Sequence, residues 1–112
     1  MKVSWQDVDD FIEKAITFAQ DKNFVGVYGP ARGGLPLAVM LSHGLDIPLL
    51  MAPAKGCFIV DDIADTGKTL ERFAGKYPIV TMYYHKQCSF VPDFWQHEKK
   101  DEWVVFPWEK GE

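Results

Sequence analysis

Apolar positions along the chain follow two rhythms. From Trp5 they recur every three or four residues through Val8, Ile12, Ala15, Ile16 and Ala19, the period of one helical face. Ser4 precedes this run as a capping residue and Asp7 puts negative charge in its first turn, so a helix is expected, closing near Asp21. After it come short unbroken apolar runs: Phe24 to Tyr28, Ile47 to Met51, Cys57 to Val60 and Ile79 to Tyr84. Such runs read as strands covered on both faces. Gly29 to Gly34 forms a turn, and Pro36 suits the first turn of a second helix that stops at Gly44. Thr69 to Ala74 is expected to be a short helix closed by Gly75. The Trp-rich tail is irregular until Trp103 to Phe106, read as a last strand, and Phe90 to Trp95 is read as tail packing. Strands alternating with helices predict an α/β fold, a single domain over residues 1–112 with a mostly parallel sheet of about four to five strands flanked by helices.

Composition narrows the function. The 112 residues are 47% hydrophobic and 14% aromatic, enough for one core and against disorder. A net charge of −4 argues against a nucleic-acid partner but not against a small anion held locally. The charged N-terminal pattern is neither a signal peptide nor a membrane span, and two cysteines, Cys57 and Cys88, suit a reducing compartment. A cytoplasmic protein without a membrane partner is the expectation.

In open parallel sheets, ligands bind beyond the carboxyl ends of strands. Two expected strands run into unusual loops there: FVGVY into GPARGG, and CFIV into DDIADTGKT. In the second loop, Gly67 allows close approach of backbone amides to a phosphate, and Thr66 and Thr69 supply hydroxyls. The same pentapeptide, Asp65 to Thr69, also fits an ordinary strand-to-helix turn. An ATP-binding P-loop is disfavoured, because its first glycine would fall on Asp62. Adjacent Asp61 and Asp62, placed where the strand ends, suit the vicinal hydroxyls of a ribose and a hydrated Mg²⁺. The ligand then carries a phosphate at one end and a sugar beside it. His85, Cys88 and His97 lack the paired spacing of a zinc site.

CFIVDDIADTGKT resembles the 5-phosphoribosyl-1-pyrophosphate (PRPP) motif of type I phosphoribosyltransferases. VYGPARGGLP resembles that family's pyrophosphate loop, and IVTMYYHK with DEWVVFPWE is similar to its xanthine–guanine branch. The resemblance implies a Mg²⁺-dependent enzyme that uses PRPP and a 6-oxopurine base. Asp61 and Asp62 would bind ribose and metal. Asp65, Thr66, Gly67, Lys68 and Thr69 would surround the 5′-phosphate, with Asp65 also the acid–base group. Arg32, Gly33 and Gly34 would hold pyrophosphate. Lys86 would donate to the purine 6-oxygen and Trp103 would stack on the ring. Read without the resemblance, Lys86 is a solvated loop lysine and Trp103 a core residue.

The chain departs from the family in one place. A long mobile segment normally precedes the PRPP motif, whereas here only Ala52 to Gly56 separates the third apolar run from CFIVDD. So short a link suits a hairpin better than a parallel crossover. The expectation is nevertheless a very short parallel strand whose exit passes beneath its neighbour. The rival function is a noncatalytic PRPP- or nucleotide-binding module that has lost that mobile segment, which in the family closes over the site as a lid. The identity of the base and any homo-oligomeric state stay open.

Overall fold

The computed structural model describes residues 1–110. Helix α1 spans Trp5–Ala19 and starts on a reciprocal cap. Ser4 Oγ accepts the Asp7 N–H at 3.0 Å, and Asp7 Oδ2 accepts the Ser4 N–H at 2.9 Å. Its buried face is Val8, Phe11, Ile12, Ala15 and Ala19. Trp5, expected on that face, is 54% exposed and leans on Trp108 at 6.0 Å.

Strand β1 is only Val27–Tyr28. Phe24 lies outside it and packs on Phe58 at 4.7 Å. Helix α2 follows over Gly34–Leu45. It does not stop at Gly44. A Cβ there would meet Ile16 Cδ1 at 2.5 Å, so this glycine lets α1 and α2 approach closely. The left-handed turn is taken by Asp46 instead, at φ 54°.

Strand β2 (Leu49–Leu50) pairs parallel with β1, as the short-strand expectation required. Strand β3 is Phe58–Ala64, β4 is Ile79–Tyr84 and β5 is Phe94–Glu98. The order is β2-β1-β3-β4-β5, and every pairing is parallel. The link from β2 to β3 therefore passes β1. It can be short because β1 and β2 have two residues each. Beneath β1 the link is tied by Val25 N–H to Gly56 O at 3.0 Å.

Two expectations about the tail are corrected, the last strand at Trp103 to Phe106 and the reading of Phe90 to Trp95 as tail packing, since Phe94 and Trp95 are strand residues. The last strand lies at Phe94–Glu98 rather than Trp103 to Phe106. Phe94 anchors it by stacking on Phe18 at 5.6 Å and Phe11 at 6.3 Å. The Trp103–Phe106 segment instead pairs with the start of the chain. Val3 N–H donates to Val105 O at 2.8 Å, and Val105 N–H donates to Met1 O at 2.9 Å. Val104 and Phe106 fill the core from there.

The segment after β3 is also corrected: Thr69 to Ala74 forms successive turns and not an α-helix. One four-residue bond, Glu71 N–H to Gly67 O at 2.7 Å, is followed by three-residue bonds from Phe73 to Leu70 and from Ala74 to Glu71. Gly67 and Gly75, at φ +93° and +79°, bracket a span too short to repay helix nucleation. Both true helices pack on one face of the sheet, while Leu70 and Phe73 from these turns cover the other against Ile59 and Ile79. No described helix is long and apolar enough to cross a membrane.

Candidate active site

The aspartates lie within β3, which continues to Ala64, and not at its end. Alternation would send neighbours to opposite faces. Before the pair, Phe58 and Val60 pack in one core cluster and Cys57 and Ile59 in the other. After it the assignment reverses: Ile63 joins the cluster of Val60, and Ala64 that of Ile59. Asp61 and Asp62 occupy the reversal, and both line one cavity of about 960 Å³.

Only 7% of Asp61 and 9% of Asp62 is exposed. Burial pushes the Asp61 carboxyl well above the usual carboxylate range, and the neighbouring charge of Asp62 pushes it further. Burial also raises Asp62, and Glu109 adds repulsion. Asp61 Oδ1 accepts the Asp62 N–H at 2.8 Å. The pair thus concentrates acceptor oxygens that form no ion pair among the described residues.

The turn after β1 faces this pair. A Cβ on Gly33 would collide with the Asp62 carboxylate, and one on Gly34 would lie 2.5 Å from Val60 O. The two glycines therefore allow the loop to lie against β3. Gly34 N–H is committed to Pro30 O at 2.9 Å. Pro30, Ala31, Arg32 and Gly33 line the cavity, with Thr69 beside them. The tail also lines it, through Trp103, Val105, Trp108, Glu109 and Lys110. Trp103 is 77% exposed, so the core-packing reading of this residue is excluded.

Asp65 points elsewhere. Its Oδ1 accepts from Gln87 Nε2 at 2.8 Å, and its Oδ2 pairs with Lys99 Nζ at 3.2 Å. Partial burial opposes its charge, but those hydrogen bonds and the positive charges of Lys99 and His85 outweigh it and hold the carboxyl below its usual range. In the same loop Thr66 Oγ1 accepts the Lys68 N–H at 3.3 Å, and Gly67 packs against Ser89 and Cys88. Lys86 is exposed and does not line the cavity. Among the described residues no three His, Cys, Asp or Glu side chains form a metal cluster, so His85, Cys88 and His97 make no such site.

Sequence reasoning missed Glu109, Lys110, Gln87 and Lys99. The last two reach Asp65 from 22 and 34 residues away, and no local pattern signals such contacts.

No protein-family model matches the sequence. The xanthine-guanine phosphoribosyltransferase of Cereibacter sphaeroides is 31% identical over 113 residues, covering 74% of this chain and 68% of the relative. The crystal structure of the purine phosphoribosyltransferase from Pyrococcus horikoshii superimposes with a TM-score of 0.87 at 31% identity, over 100% of this chain and 95% of that one. This chain belongs to the purine phosphoribosyltransferase family. Its five-stranded parallel α/β domain is the type I fold. The xanthine-guanine phosphoribosyltransferase of Idiomarina loihiensis is 26% identical over 137 aligned positions, covering 96% of this chain and 85% of the relative. That alignment is longer than the 112 residues here, so part of the relative has no counterpart in this chain.

Proposed function

We propose that the chain transfers the phosphoribosyl group of PRPP to a 6-oxopurine, yielding a nucleoside monophosphate and pyrophosphate. The observation that carries this reading is the buried Asp61–Asp62 pair, which shares one cavity with the Arg32–Gly33 turn and the exposed ring of Trp103. Carboxylates accept from ribose hydroxyls, a guanidinium pairs with pyrophosphate oxygens, and an open indole face offers a stacking surface.

The donor set also fits Mg²⁺. Both side chains offer hard oxygens, and the repulsion between their charged forms is what a divalent cation would offset. When bound, the ion would neutralise charge on the pyrophosphate, and beyond Asp61 and Asp62 it would keep waters or ligand oxygens in its other positions.

In the reaction the bond from the ribosyl carbon to pyrophosphate breaks, and its electron pair leaves with pyrophosphate. A nitrogen lone pair of the base forms the new bond, and that nitrogen gives up its proton to the departing pyrophosphate or to water. The reacting carbon becomes cation-like, so fixed carboxylates and close placement supply most of the stabilisation. Arg32 and the Gly33 turn hold the leaving group. Gly34 serves through its lack of a side chain, since its N–H is already bonded. Asp65, Thr66, Gly67, Lys68 and Thr69 frame the phosphate end through backbone amides and hydroxyls, without a helix terminus. A carboxyl held below its usual range is a weak base, so we assign Asp65 to orientation rather than to proton transfer.

The test incubates the purified chain with PRPP, Mg²⁺ and guanine, xanthine, hypoxanthine or adenine in turn, and separates the nucleotide products. Nucleotide from the 6-oxopurines is expected. PRPP binding without product from any base would replace transfer with the noncatalytic module.

A further inference from the structure

Three polar side chains are buried among the described residues: Asp61, Asp62 and Thr81. The first two line the cavity, and the third stands on the neighbouring strand, β4. Thr81 is 0% exposed, and its Oγ1 makes no hydrogen bond among the described residues. A buried hydroxyl without a partner is destabilising, because its contact with water is lost and nothing replaces it. Valine has nearly the same shape and would fill the position without that penalty. A threonine here calls for a use of its oxygen.

The neighbours of Thr81 narrow that use. It pairs in register with Asp61 on β3 and with Trp95 on β5. An indole offers no acceptor, whereas a carboxylate offers two oxygens. The two strands β3 and β4 also turn together. Val60 and Val80 belong to one core cluster, Ile63 and Tyr83 to the same one, and Ala64 and Tyr84 to the other. The reversal at the aspartates is therefore shared by β4, and Thr81 stays in register with Asp61 through it. Adjacent strands lie about 5 Å apart, a span that a rotating hydroxyl and a carboxylate can bridge. Asp61 already accepts one bond, from the Asp62 N–H to Oδ1 at 2.8 Å. One bond leaves a carboxylate free to turn, and a second donor fixes its plane.

We propose that Thr81 is a positioning residue of the site, whose hydroxyl donates to the Asp61 carboxylate when Mg²⁺ and PRPP are bound and so fixes the plane in which that carboxylate meets them. This rests on the reading of Asp61 as a ligand of PRPP and Mg²⁺, and adds to it a residue outside the cavity. The free protein carries an unsatisfied hydroxyl, and the bound protein gains a second donor from it.

The test sets stability against binding in the full chain. T81V and T81S are compared with wild type by thermal unfolding of the ligand-free protein and by calorimetric titration of PRPP at several Mg²⁺ concentrations. T81V should melt at or above the wild-type temperature, yet bind PRPP at least fivefold more weakly and need at least threefold more Mg²⁺ for half-maximal binding. T81S keeps the hydroxyl and leaves a small void, so it should melt lower and bind within twofold of wild type. Stability and affinity thus move in opposite directions, which a packing role alone does not produce. Unchanged affinity in T81V would overturn the proposal. So would equal losses of affinity in T81V and T81S, or a loss in T81V that is independent of Mg²⁺. A T81V melting temperature below wild type would overturn it too, because the hydroxyl would then have a partner in the free protein. If T81V does not fold by circular dichroism, T81S against T81A carries the comparison, since these two differ only in the hydroxyl. PRPP binding with the expected pattern but no nucleotide product would refute transfer alone. Product formed with PRPP affinity indifferent to T81V would refute Thr81 alone, and a wild type that binds no PRPP would remove both.

Discussion

The substitution Asp61→Asn should stabilise the ligand-free protein while disabling its site. The asparagine would keep an oxygen for the Asp62 N–H, which Asp61 Oδ1 now accepts at 2.8 Å. Its amide could donate to the Asp62 carboxylate, as only a protonated Asp61 can. Both carboxyls are over nine-tenths buried, so solvent screening is slight. Adjacent charges roughly 4–5 Å apart at an effective dielectric of about 20 repel by roughly 3–4 kcal/mol. Protonation relieves part of this in the wild type, which leaves an expected gain of about 1–3 kcal/mol at pH of about 7.5. At about 4 °C per kcal/mol, the melting temperature should rise by roughly 4–12 °C. The gain has a definite pH signature. The folded-state pKa of Asp61 lies above its ordinary value. Between the two, the folded chain holds a proton that the unfolded chain has released. The stabilisation from that proton is complete below pH of about 4 and is lost as pH rises through the raised value, at up to about 1.4 kcal/mol per pH unit. The asparagine variant lacks this loss, so the gap between the proteins should widen with pH. Urea titrations without divalent ions, from pH of about 4 to 8, read it directly. A variant less stable than wild type near neutrality, or a gap that stays constant, would refute the account of the pair as mutually repelling.

Other expectations follow from the same site. PRPP should bind at least tenfold more weakly in EDTA than with Mg²⁺, a difference of about 1.4 kcal/mol or more by calorimetry; equal affinities would remove the metal role of Asp61 and Asp62. Gly33→Ala forces a methyl group into the Asp62 carboxylate and should cost about 1–3 kcal/mol by urea denaturation, together with loss of PRPP binding. Gly67→Val, at φ +93° and against Ser89, should abolish binding of a nucleoside monophosphate while unfolding remains cooperative; normal binding would clear the loop of phosphate contact. With only Ala52 to Gly56 between the third apolar run and Cys57, water should reach the reacting carbon, giving turnover below the common range of roughly 1–10³ s⁻¹ and ribose 5-phosphate alongside nucleotide. Fast transfer with negligible hydrolysis would mean that another element, such as the tail wall carrying Trp103, closes the site.

The parallel sheet and the capped first helix were legible because each rests on local pattern: unbroken apolar runs for the strands, Ser4 with Asp7 for the cap. The CFIVDDIADTGKT motif pointed to the aspartates for the same reason. What escaped notice depends on contacts remote in sequence. Phe94–Glu98 alternates too weakly to announce a strand and is held by Phe11 and Phe18 from α1. Thr69 to Ala74 has a helical composition, but its length and two left-handed glycines decide for turns. Gly44 looked like a helix stop and is a packing position against Ile16. Lys86 stood at the expected spacing, while the lysine that meets Asp65 comes from another strand end.

The strand order has a consequence for association. An open sheet has two rims whose unpaired amides and carbonyls can recruit another chain. Here one rim is β2, only two residues long, which is too short to template a foreign strand. The other is β5, five residues running directly into Lys99 and Lys100. A strand added there in register would have to extend past the exposed Lys100 and Glu98. The minimal length of β2 and the charged exit of β5 therefore guard the sheet at its ends, leaving misassembly through strand addition little room to begin.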